Sequence, residues 1–82
     1  MDTFQIMLIK VNQRVQEAAG VQSLLTEFGC HIKMRLGLHE AGDHCSNQGL
    51  IVLQLTGEGT ELENFAAKLN ALEGVTARLT EI

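Results

Sequence analysis

Cys30-His31-Ile32-Lys33-Met34-Arg35-Leu36-Gly37-Leu38-His39 is the stretch that decides the fold. Cys30, Ile32, Met34, Leu36 and Leu38 alternate with His31, Lys33, Arg35, Gly37 and His39. A period of two marks a strand with one face buried and the other not. The segment Glu40 to Gly49 follows as a loop, and a second apolar run, Leu50 to Leu55, gives another strand over Gly49 to Thr56. The loop thus holds His39, His44 and Cys45 at one end of a sheet.

Upstream, Asn12 to Phe28 carries Val15, Ala18, Val21, Leu24, Leu25 and Phe28 at helical spacing, and Gly29 supplies a stop. Gly20 inside that pattern costs about 1 kcal/mol against alanine, so irregular first turns are expected. The first strand spans Thr3 to Val11, with Phe4, Ile6 and Leu8 on one side and Gln5, Met7, Ile9 and Val11 on the other. Apolar on both sides, it belongs mid-sheet. Downstream, Gly57-Glu58-Gly59 is a turn, and Thr60 with Glu63 has the spacing of a capping box. The helix that follows places Leu62, Phe65, Ala66, Leu69 and Leu72 on one stripe and ends at Gly74. Val75, Ala77 and Leu79 then alternate with Thr76, Arg78 and Thr80 in a last strand.

The order is βαββαβ, an α+β ferredoxin-like sandwich. Right-handed crossovers place both helices on one face of an antiparallel four-stranded sheet of order 4-1-3-2, as a single domain over residues 1–82. Parity assigns Gln5, Met7 and Ile9 to the centre of the helix-free face. Leu50, Val52 and Gln54 stand beside them, with His31, Lys33, Arg35, Thr76, Arg78 and Thr80 on the flanks. An apolar centre inside a polar rim is the anatomy of an interface, so a homo-oligomer, dimer or tetramer, is expected.

Composition narrows the function. The 82 residues are 45% apolar and 20% charged, the values of a folded globular chain. Phe4, Phe28 and Phe65 are the three aromatics, so the core is aliphatic, and a small aliphatic core favours self-association. A net charge of −4 with dispersed basic residues argues against nucleic-acid binding. No apolar run is long enough to span a bilayer, and no signal-type segment precedes Met7 to Ile9. The expected compartment is the cytoplasm, with Cys30 and Cys45 as free thiols.

Two constellations carry chemistry. Imidazole and thiolate at His39, His44 and Cys45 suit a transition metal such as Ni or Zn, completed by a ligand from another subunit. Asn12 and Arg14 after the first strand, with Lys33 and Arg35 two apart on one strand, suit a carboxylate or phosphate of a small effector. The same Lys33 and Arg35 also serve as charges that protect an edge strand. Catalysis has no comparable pattern: Glu27, Glu40 and Glu63 lie on separate elements and the glycines form no phosphate loop, so the chain is read as a non-enzyme.

Val21-Gln22-Ser23-Leu24-Leu25-Thr26-Glu27-Phe28-Gly29-Cys30-His31-Ile32-Lys33, then Arg35 to Glu40, Cys45 and Gly49-Leu50-Ile51 resemble the small regulators of the iron-only hydrogenase system. The likeness runs over nearly the whole chain. It implies an ACT-like ferredoxin fold, self-association and a regulatory role exerted on a protein partner. A more distant likeness is to the C-terminal domain of nickel-responsive repressors, where His39 and Cys45 match two metal ligands at the same separation. That pattern has a further histidine where Gly37 stands here, which removes one ligand. The expected function is a regulatory module that binds a small effector or metal. Its alternative is a ligand-free structural adaptor in hydrogenase maturation.

Overall fold

A computed structural model describes residues 3–12, 14–38 and 49–82, with side chains omitted at residues 14–18 and 38. Four strands, β1 (Gln5–Val11), β2 (Ile32–Leu38), β3 (Gly49–Leu55) and β4 (Val75–Glu81), form one sheet of order β2-β3-β1-β4. All three pairings are antiparallel. Helices α1 (Arg14–Glu27) and α2 (Gly59–Asn70) make the second layer. This is the ferredoxin-like arrangement read from the sequence, with its strand order written from the other edge.

The core lies between the sheet and the helices. Met7, Ile9 and Val11 from β1 and Leu53 and Leu55 from β3 meet Val21, Leu25 and Phe28 from the α1 side and Leu62, Phe65 and Leu69 from α2. Phe28 stacks on Phe65 with ring centroids 4.5 Å apart. Gly20 sits within an unbroken α1, where a Cβ would come 3.3 Å from the Leu72 methyl carbons, so the glycine permits close helix approach.

Three expectations are corrected. First, α2 begins at Gly59 after an N-cap at Glu58, with no side-chain capping bond; Thr60 lies inside the helix and cannot act as its cap. Second, Gly29–His31 forms a single 3-10 turn, so Cys30 and His31 precede β2 and are not part of it. Third, the face parity of the sheet is reversed in β1 and in most of β2. Met7 and Ile9 are fully buried toward the helices. The open side instead carries Ile6, Leu8 and Lys10, because Leu8 pairs with Val52 and Ile6 with Gln54.

The reversal in β2 has a local cause. Ile32 opposes Leu55 but Met34 opposes Gln54, so an irregularity inserts one extra residue between them. A one-residue bulge moves every later side chain to the opposite face. Ile32 therefore packs on the core while Met34 and Leu36 point away from the helices. Arg35 moves to the helix side, where its guanidinium donates to Gln22 Oε1 at 3.3 Å.

Candidate functional site

With β2 reversed, the helix-free face becomes more apolar than alternation alone implied. Antiparallel partners share a face, so its rows follow from the register. Thr80, Ile6, Gln54 and Met34 form one row, and Arg78, Leu8, Val52 and Leu36 the next. Thr76, Lys10 and Leu50 form the third. Phe4 and Ile82, joined by paired backbone bonds of 2.8 and 2.9 Å, continue the face beyond them. Leu8 and Leu50 are 40% and 39% exposed, and Met34 and Leu36 are 56% and 53% exposed. These large aliphatic side chains, left open in neighbouring rows, form an exposed apolar patch.

The face is polarised. Its β2 and β3 columns are almost wholly apolar, whereas its β4 column is Thr76, Arg78 and Thr80. Among its described residues the charged members are Lys10 and Arg78, both cationic. Glu27, Glu58, Glu61, Glu63 and Glu73 belong to the helical layer or its connections, and Glu81 shares the helix-side register of β4 with Gln5. A chain of net charge −4 thus turns a positive sheet face outward.

A polar cluster closes the other side of the molecule. His31 Nδ1 donates to the Thr56 carbonyl oxygen at 3.2 Å, and its Nε2 lies 3.0 Å from Glu61 Oε2. The Thr56 amide returns a bond to the His31 carbonyl at 2.8 Å. Nearby, Lys68 donates to Glu27 Oε2 at 2.8 Å while its ammonium stands 5.4 Å above the Phe28 ring. His31 thus ties the residues just before β2 to the first turn of α2, and Lys68 ties the last turn of α2 to the end of α1. The sequence showed neither; His31 was placed on the open face.

Asn70 was missed as well. Its side chain donates to the Ala77 carbonyl at 3.0 Å and accepts from the Ala77 amide at 2.7 Å. The amide group copies a neighbouring strand and occupies part of the β4 edge.

His39, His44 and Cys45 lie outside the described residues. Among those described, no group of three His, Cys, Asp or Glu residues is placed to hold a metal ion. Cys30 is an exposed free thiol. The four anion-site candidates are not brought together. Asn12 follows the end of β1, and its backbone N–H donates to the Gly74 carbonyl at 2.7 Å. Arg35 stands opposite Leu53 and hence in the row of Met7. Five residues along the strand direction separate that row from Asn12, roughly 16 Å at about 3.3 Å each, and β3 intervenes. Lys33 occupies the irregular position, farther still, and Arg14 opens α1.

No family model matches the chain and no curated protein does. Solved structures do. An uncharacterized protein from Thermotoga maritima is 24% identical, with a TM-score of 0.84 over 99% of both chains. A formyltetrahydrofolate deformylase from Pseudomonas putida KT2440 is 17% identical, with a TM-score of 0.58 over 96% of this chain and 28% of the enzyme. Both likenesses establish the fold. Among the described residues, no helix is long and apolar enough to cross a membrane.

Proposed function

We propose that this chain is a small, ACT-like, cytoplasmic regulatory module of the iron-only hydrogenase system. It works as a homo-oligomer that binds a small effector or a metal ion and acts on a protein partner, and it is not itself an enzyme. The observation that carries the reading is the open sheet face, where Leu8, Met34, Leu36 and Leu50 stay exposed in adjacent rows. A face of that kind needs a partner, and a second copy is always at hand at the protein's own concentration. The resemblance over Val21 to Lys33 and Arg35 to Glu40 supplies the regulatory setting.

Size-exclusion chromatography with light scattering tests the assembly: a mass of two or four times 9.0 kDa is expected. A monomer throughout the accessible concentration range would remove the reading. Titration with Ni or Zn tests the ligand. Stoichiometric binding that is lost in His39→Ala with Cys45→Ala supports a metal-responsive module. An assembled protein that takes up neither metal nor a small anion is instead the ligand-free adaptor.

A further inference from the structure

The pattern on the open face also dictates how a second copy fits. Resting on the self-association reading, we propose that two copies stack open face to open face about a twofold axis running across the strands. β2 then lies over β2 of the second copy and β4 over β4.

Two stacked sheets stay roughly aligned, about 10 Å apart, which leaves two simple placements of the axis. An axis along the strands would lay β4 of one copy over β2 of the other. Arg78 would then rest on Leu36 and Thr80 on Met34, since those residues share rows. The described face offers no carboxylate to such a guanidinium, and a cation pressed onto aliphatic side chains without an acceptor is costly. An axis across the strands keeps the columns and reverses the rows; through the middle row it would set Arg78 against Arg78 of the second copy, so it is placed between the Arg78 and Thr80 rows. Leu36 meets Met34 of the second copy, and Leu8 meets Ile6, so apolar columns cover apolar columns. Arg78 faces the hydroxyl of Thr80, an acceptor, and Lys10 faces the ring of Phe4, a cation–π pairing. No cation opposes a cation, and the polar β4 columns stay together at the rim.

The dimensions set the strength. Four strands about 4.8 Å apart and seven residues of about 3.3 Å give a flat footprint of roughly 450 Å² per copy. A standard interface takes about 800 Å² per partner, so association is at the weak, concentration-dependent end.

The test is mixed cross-linking of the full chain in a Cys30→Ser, Cys45→Ser background. A short bis-maleimide is added to Met34→Cys mixed with Leu36→Cys, and separately to Met34→Cys mixed with Thr80→Cys. One variant carries a mass tag so that only mixed pairs are counted. All three positions are exposed or at the rim, and circular dichroism verifies that each variant folds. The first mixture is expected to cross-link several-fold more than the second. Equal or greater linking in the second overturns this arrangement, as does linking in neither mixture while light scattering reports an oligomer, and the self-association reading survives both. A protein that is monomeric by light scattering and links in neither mixture overturns both.

Discussion

Gly57 holds a backbone φ of +128°, and a Cβ there would lie 2.6 Å from His31 Nδ1. Conformation and space therefore exclude a side chain for separate reasons. Gly57→Ala should cost about 1–3 kcal/mol in urea unfolding, in line with a forced backbone conformation. Gly29→Ala is the control, because nothing lies within 4 Å of that Cβ; it should be neutral or slightly stabilising. Equal effects at the two glycines would disprove the account. His31→Ala removes the bonds to Thr56 and Glu61 and should destabilise by about 1–2 kcal/mol, since both contacts are partly screened by water. A change within error of zero would show that the ring does not hold the start of α2.

Among the elements, β4 and β2 are the two edges of the sheet, and they are finished differently. β4 is closed at Ala77 by the Asn70 amide and flanked by Arg78 and Glu81. Edge strands treated in this way resist pairing with other chains. Asn70→Ala leaves the Ala77 amide and carbonyl open and should cost about 1–3 kcal/mol. It should also raise the aggregation rate on mild heating, measured by light scattering; loss of stability without aggregation would assign Asn70 to packing alone. In α2, Phe65 is fully buried against Phe28, and Phe65→Ala should cost about 3–5 kcal/mol in the same assay. The helix stripes were legible because Val21, Leu25, Leu62, Phe65 and Leu69 recur at the period of the helix itself. The 3-10 turn and the Glu58 cap were not, because Thr60 satisfies a capping pattern just as well in the sequence alone.

For the molecule as a whole, the stability of the fold and the proposed assembly rest on different faces of the sheet. Met34 and Leu36 point away from the core, so Met34→Glu with Leu36→Glu should leave the monomer's unfolding midpoint nearly unchanged. The same pair should reduce the mass by light scattering to that of one chain, since a buried unpaired carboxylate at an apolar interface is strongly disfavoured. If the double variant keeps its oligomeric mass, the copies meet elsewhere. The strand order was legible because the element order with right-handed crossovers admits few arrangements. The candidate ligands were legible only as residue types, since register alone decides which strands share an end.

The amino-acid sequence determined which segments are strands and which are helices, their order, and through that order the antiparallel sheet with one uncovered side. Those features are local or follow from periodicity, and periodicity is written in the chain. Which side of β1 and β2 is uncovered was decided in the tertiary structure. β1 is apolar on both sides, so only its pairing with Val52 and Gln54 could orient it, and one extra residue at Lys33 turned Met34 and Leu36 outward. A strand's period fixes which side chains point together. Only hydrogen-bonded neighbours and a packed helical layer fix the direction in which they point.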